Sequence, residues 1–306
     1  MSKVRNAIGS VAARNPFLRY GWYLSFVPSN PQDYYNFIGD DVVQGKSDGL
    51  RDPEKPLWLN LGYWEQARTY PEAARALAKL LGDAAELNPE DNQLDVGFGF
   101  AEQDLYWLEQ YNVGHITGLN ITALQVEHAR KRVRERGLEH RISLGLGSAT
   151  QTPFSSETFS KVTALECAFH FVTREQFFHE AYRVLKPGGR LALADGCAPE
   201  GTSAPSIGAK LVLRHLATPV ANYYDRAEYL RKLENCGFTN IQWRRISEFV
   251  YPGHDAYLRQ RLAGRGISEA VISEISAEER EKQVKKYSLG LSDYLIVTAD
   301  KPAASS

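Results

Sequence analysis

Leu94-Asp95-Val96-Gly97-Phe98-Gly99-Phe100-Ala101-Glu102-Gln103-Asp104 reads as a buried strand, a tight glycine turn and the first turn of a helix. Two glycines alternate where the backbone must bend sharply and let a ligand approach with no Cβ in the way. Several nucleotide cofactors use such a turn, so the neighbours decide which one is meant. A dinucleotide site wants a third small residue three positions after the second glycine, and a helix N-terminus free for pyrophosphate. Glu102 stands at that third position and Asp104 follows in the same helical turn. Carboxylates there suit the helix dipole and repel a phosphate. S-adenosyl-L-methionine carries a sulfonium and an amino-acid end but no phosphate, so the acids are expected to tolerate it and to help hold its ammonium group.

Outward from this stretch the chain alternates strand and helix. Leu94 and Val96 mark a first strand, His115–Asn120 a second, Ile142, Leu144 and Leu146 a third, and Lys161–Cys167 a fourth. Lys186-Pro187-Gly188-Gly189 reads as a turn before a fifth strand, Arg190–Asp195. Helices run through Leu105 and Leu108, through Leu124, Ala129 and Val133, and through Phe177, Ala181 and Leu185. Tyr70-Pro71-Glu72 opens a further helix ahead of them, with Ala74, Leu77, Leu81 and Ala85 at helical spacing. The alternation predicts a Rossmann-like, doubly wound, mostly parallel α/β sheet of seven strands. A helix at Ala227–Cys236, strands at Ile241–Ile246 and Asp293–Ala299, and a charged helix around 275–286 complete it. Residues 1–70 are expected to form a helical cap or lid, and 71–306 the catalytic domain, with a substrate-cap insertion at 197–226 after the fifth strand.

The bulk composition bounds the rest. With 306 residues, 43% hydrophobic and 24% charged, the chain can bury a full core. A net charge of −1 gives no general case for nucleic acid. Cys167, Cys197 and Cys236 form no CxxC pair, so neither a zinc site nor a disulfide framework is suggested, and a reducing cytoplasm is the natural compartment. No apolar run is long enough for a membrane span. The first twenty residues carry Lys3, Arg5, Arg14 and Arg19 without an acid, with Val4, Ile8 and Val11 on one helical face. That pattern suits a solvated helix on the main domain, a lid, a contact within a homo-oligomer or an anion-binding arm.

Together with Asn60-Leu61-Gly62-Tyr63-Trp64, Trp107-Leu108-Glu109, Gly147-Ser148-Ala149-Thr150, Pro153-Phe154, Glu157-Thr158-Phe159 and Leu185-Lys186-Pro187-Gly188-Gly189, the opening stretch resembles the class I S-adenosylmethionine-dependent methyltransferases. It is most similar to the natural-product branch that contains erythromycin O-methyltransferase. The resemblance covers roughly residues 57–300. It implies S-adenosyl-L-methionine as cofactor, held by Asp95, Gly97, Gly99, Gln103, Asn120, Ile121, Gln125, Ser148, Ala149 and Glu166. Two departures stand out. Ala101 replaces the usual third glycine, which leaves the approach open if its φ is negative. Asn120 replaces the usual ribose-binding acid, and its amide can still accept one hydrogen bond and donate another.

Methyl transfer from a sulfonium is an in-line displacement, so the protein supplies geometry, exclusion of water and a route for one proton. The carboxyl end of the fourth strand, where ligands sit in open α/β folds, holds Leu165-Glu166-Cys167-Ala168-Phe169-His170-Phe171. His170 is the candidate base and Glu166 its partner or the base itself; the competing readings are a histidine that holds the loop and a capping carboxylate. Asp195 reads as structural and Cys167 as packing. The dense aromatics suit a pocket wall as well as a core. Tyr23, Tyr63, Trp64, His170, His215 and Tyr223 are therefore the candidate substrate-pocket residues, with Arg214, Asn222 and Tyr224 beside them. The substrate is expected to be a small molecule: a hydroxyl of a sugar- or polyketide-type natural product, or else an alkene of a terpenoid or prenyl diphosphate methylated at carbon. A non-catalytic cofactor-binding module and a nicotinamide oxidoreductase are the readings from other classes.

Overall fold

The computed structural model describes residues 57–262 and 291–304, with the isolated positions 32, 276 and 278. The expected N-terminal cap up to residue 56, with its basic helix and Tyr23, and the charged helix around 275–286 lie outside the described residues.

Strands β1 (Asn92–Val96), β2 (His115–Asn120), β3 (Ile142–Leu146), β4 (Phe159–Leu165), β5 (Leu185–Cys197), β6 (Thr239–Arg245) and β7 (Asp293–Asp300) form one sheet in the order β3-β2-β1-β4-β5-β7-β6. The first five run parallel, and β7 is antiparallel to both of its neighbours. The chain moves outward from β1 to β3 and then crosses back to place β4 on the other side of β1. Such a reversal leaves a crevice between the carboxyl ends of β1 and β4, the usual ligand position in this architecture.

Helices follow where the sequence sets them. In α1 (Tyr70–Ala85), Thr69 and Glu72 form a reciprocal capping box and Pro71 sits in the first turn. Its Ala74, Leu77, Ala78, Leu81 and Ala85 are buried on one stripe, as helical spacing requires. α2 (Glu102–Tyr111) and α3 (Ala123–Glu135) follow β1 and β2, and α4 (Arg174–Val184) follows β4. Trp107 of α2 is fully buried and donates its indole N–H to the Ala78 carbonyl at 2.8 Å. The strands show period two: along β5, Leu191 and Leu193 enter one hydrophobic cluster while Ala192 and Ala194 enter the cluster on the opposite face.

Two boundaries differ from the sequence reading. β5 begins at Leu185, because Leu185 pairs with Phe159 before the register shifts, so the Lys186–Gly189 turn is a bend within an irregular strand. A helix absent from the sequence reading, α7 (Ser247–Leu262), follows β6; it carries Pro252 inside it, a residue that disfavours a helix interior. The segment read as an insertion holds α5 (Ile207–His215) and a short 3-10 turn at Val220–Asn222, and α6 (Arg226–Asn235) follows. No helix among the described residues is long and apolar enough to cross a membrane.

Candidate active site

The glycine turn after β1 is built for close approach. Gly97 and Gly99 have φ of 72° and 57°, and a Cβ on Gly97 would lie 2.5 Å from the Cβ of Cys167. Turn and counter-turn are therefore in contact, with the Cys167 thiol donating to the Val96 carbonyl. Ala101 also lies in the left-handed region, at φ 61°. The expectation of a negative φ is thus corrected: this position carries out the glycine's backbone role and accepts the strain, roughly 1–2 kcal/mol for a residue with a Cβ.

The two acids at the helix start do not face the ligand. Glu102 pairs with Arg132 at 2.6 Å and accepts from the Leu57 amide. Asp104 is fully buried against Asp95, and burial raises both carboxyls, so the pair favours holding a proton. Asp95 accepts from Gln103 Nε2 at 3.1 Å and Thr163 Oγ1 at 2.7 Å, beneath the turn and outside the cavity wall. Repulsion of phosphate by exposed carboxylates is therefore not what this site uses. Among the described residues its wall carries no lysine or arginine to attract one either.

That wall encloses a cavity of about 400 Å³ at the carboxyl ends of β1, β2 and β4. Gly97, Gly99, Gln103, Asn120, Ile121, Gln125, Ser148, Ala149, Glu166 and His170 all line it, as the sequence suggested. Asn120 donates to Gln125 Oε1 at 2.8 Å and accepts from the Thr122 amide at 3.1 Å. This leaves Gln125 Nε2, in a side chain 2% exposed, as a donor without a partner at the wall. A buried orphan amide, a glycine cradle and an apolar lining suit a nucleoside without phosphate whose ribose hydroxyls accept that hydrogen bond.

The second turn, after β4, faces the first. Glu166 stands at φ 53° and accepts from the Leu61 amide at 2.9 and 3.1 Å and from the Tyr294 hydroxyl at 2.6 Å. Burial pushes its carboxyl up to about 8, against the lowering effect of those donors. His170 is buried in a short 3-10 turn, Ala168–His170, with Nδ1 3.3 Å from the Ala217 carbonyl oxygen. Burial pulls its imidazole down to about 4, so the ring is neutral at physiological pH. A carbonyl only accepts, and the Ala217 and Leu216 carbonyls both act on the ring, so the tautomer with its proton on Nδ1 fits the Ala217 contact.

Several residues expected at the pocket lie outside the wall of this cavity. Tyr63 is buried against Phe249 and bonded to Glu65 and Arg244, and Trp64 packs on Tyr70 and Tyr257 while donating to the Leu61 carbonyl. Tyr223 is buried with Ala198, Ala209 and Leu213. None of the three lines the cavity, because each aromatic face is used by packing within its own layer. Asn222 and Tyr224 are likewise internal, and Arg214 is exposed. His215 ends α5, and Tyr23 is not among the described residues. Asp195 is structural, in a fully buried ion pair with Arg174 at 2.8 Å. The sequence reading missed Leu57, Leu59 and Asn60 on one side of the cavity and Phe171, Val172 and Pro219 near the second turn. Pro219 is the residue by which the insertion reaches the cavity.

Residues 94–193 match a family model described as a methyltransferase domain. Over 261 residues the chain is 33% identical to erythromycin 3''-O-methyltransferase of Saccharopolyspora erythraea, spanning 81% of this chain and 84% of that protein. It is 28% identical over 266 residues to the 27-O-demethylrifamycin SV methyltransferase of Amycolatopsis mediterranei, spanning 83% and 95%. Among solved structures, the (4+2)-cyclase SpnF shares the fold with a TM-score of 0.66 at 23% identity, over 89% of this chain and 95% of that one. Geranyl diphosphate C-methyltransferase from Streptomyces coelicolor A3(2), in complex with Mg2+, geranyl diphosphate and S-adenosyl-L-homocysteine, shares it at 0.62 and 19%, over 86% and 97%. The chain belongs to the class I methyltransferases of the natural-product branch, enzymes whose methyl donor is S-adenosyl-L-methionine.

Proposed function

We propose that this enzyme methylates a hydroxyl oxygen of a small natural product of sugar or polyketide type, with His170 accepting the hydroxyl proton. One observation carries the reading: a buried, neutral imidazole lines the same cavity as the glycine turn, with Nδ1 facing a carbonyl. When bound, S-adenosyl-L-methionine supplies an activated methyl group. Gly97, Gly99, Gln103, Asn120, Ile121, Gln125, Ser148 and Ala149 would hold it. The chain's own work is to exclude water, align the acceptor and remove one proton. The hydroxyl becomes strongly acidic as its oxygen attacks and gains the methyl group, so even a weakly basic imidazole suffices.

Glu166 is assigned a holding role. Its carboxyl ties the Leu61 amide to the Tyr294 hydroxyl and is largely protonated at neutral pH, a poor state for a base. The relatives that methylate erythromycin and demethylrifamycin at oxygen support the acceptor atom. A prenyl diphosphate acceptor would need cationic partners, and the described cavity wall offers none. Product analysis by mass spectrometry, after incubation with a panel of hydroxylated and prenylated acceptors, tests the reading. A methyl group on oxygen is the expected product; a methyl group on an alkene carbon would overturn it.

A further inference from the structure

The turn that carries His170 is closed by its own 3-10 bonds, from the His170 and Phe171 amides to the Cys167 and Ala168 carbonyls, and is also held from outside. Phe169 and Phe171, on either side of the histidine, both direct their carbonyls at one side chain, the buried carboxamide of Asn222. Its Nδ2 donates to the Phe169 oxygen at 3.0 Å and to the Phe171 oxygen at 2.8 Å. Its Oδ1 accepts from the Arg174 amide at 2.8 Å, in the first turn of α4. One amide thus satisfies three backbone groups bracketing His170, and its hydrogen-bonding capacity is nearly filled.

The carboxamide is itself anchored. Arg174 donates to the Asn222 carbonyl at 3.0 Å and the Gly196 carbonyl at 2.8 Å while paired with Asp195, and Asp195 accepts from the Phe169 amide and the Tyr229 hydroxyl. The rings of Tyr224 and Tyr229 flank the guanidinium, each 4.9 Å from it. The side chains of Asn222, Arg174, Asp195, Tyr224 and Tyr229 are all buried, so water does not cheaply replace a bond lost among them. The same insertion supplies the Ala217 carbonyl facing His170 Nδ1, from a residue held at φ 50°.

We propose that Asn222 is a positioning residue for His170: from the insertion, it fixes the turn on which the imidazole stands and so keeps Nδ1 protonated against Ala217. The inference rests on His170 being the proton acceptor only for its effect on rate; the effect on the ring stands by itself. Asn222→Asp keeps the size and the acceptor for the Arg174 amide but loses both donors to the turn. Asn222→Ala loses all three contacts.

The test combines turnover, titration with S-adenosyl-L-homocysteine and 15N spectra of histidine-labelled protein, in which the His170 signals are those missing from His170→Ala. Both variants should lose roughly 10- to 100-fold in kcat, with homocysteine-nucleoside affinity within about twofold of the parent. The wild-type ring should show one tautomer, protonated at Nδ1, and the variants a mixture. The acid limb of the pH profile should also move up from near 4, as a loosened ring regains water and feels the Arg174 charge less. An unmoved His170 spectrum in both variants would overturn the proposal, even with turnover lost. Recovery of wild-type kcat and acid limb in Asn222→Asp would overturn it too, because filling space and capping α4 would then be the whole role. Full turnover in His170→Ala would instead remove the base assignment and leave the spectral test of Asn222 standing.

Discussion

The two turns that face each other across the cavity solve one problem in different ways. Each follows a central parallel strand, and each needs backbone in the left-handed region. After β1 the solution is local: Gly97, Gly99 and Ala101, at φ 72°, 57° and 61°, are small residues with little to clash. After β4 it is tertiary. Glu166 at φ 53° is held by Leu61 and Tyr294, and the following turn by Asn222 and the Arg174–Asp195 pair. Small residues leave room for a ligand, whereas a network of distant groups fixes the side chain proposed as the base. The first turn suits a cofactor and the second a base.

The difference can be broken from the glycine side with the largest effect. In Gly99→Val a Cβ would stand 3.2 Å from Leu59 Cδ1, at a φ that a β-branched residue avoids, in the cavity wall. Affinity for S-adenosyl-L-homocysteine should fall by at least about 100-fold in a protein that still folds. Calorimetric titration alongside a thermal melt checks this, and near-native affinity would mean the cofactor does not approach that glycine.

On the opposite side, Glu166→Gln should change the pH dependence of stability more than its level. Burial holds the Glu166 carboxyl at about 8 against its ordinary 4.5. The folded chain therefore keeps a proton that the unfolded chain releases. This contribution is full below the unfolded value and is lost as pH rises through about 8, on the order of a few kcal/mol in total. Glutamine stays uncharged throughout and still accepts from the Leu61 amide. The Tm of the variant relative to wild type should therefore climb between pH 5 and pH 9. Parallel Tm curves would show that Glu166 is ionised at all these pH values.

Ala101→Gly should give the smallest change and sharpens the contrast. Removing the Cβ at φ 61° relieves strain, while glycine adds freedom to the unfolded chain. The net gain should be about 0.5–1 kcal/mol, seen as a slightly higher Tm with unchanged turnover. A lower Tm would show that the left-handed backbone at this position stores no strain.

This contrast also explains what the sequence could and could not convey. The glycine turn, the alternation of strand and helix from β1 to β5 and the helix start at Tyr70-Pro71-Glu72 depend on neighbours in the chain, and all were legible. Ten expected cavity residues were found at the wall for the same reason, since they end strands or begin helices. Tyr63, Trp64 and Tyr223 announce burial, but nothing local says against which surface. Asp95 lies beneath the turn, bonded to Gln103 and Thr163, a depth that spacing along the chain does not convey. Asn222 lies 52 positions after His170, and its bonds to that turn have no signature in spacing. The φ of Ala101 was likewise hidden, because the turn's geometry overrides the preference of the residue.

The pairing of a cofactor turn with a base turn is tested most directly by comparing His170→Ala with wild type, measuring turnover of a hydroxylated acceptor together with S-adenosyl-L-homocysteine affinity. Turnover should fall by roughly 10²- to 10⁴-fold while affinity stays within about threefold. Turnover at the wild-type rate would contradict the division of labour between the two turns.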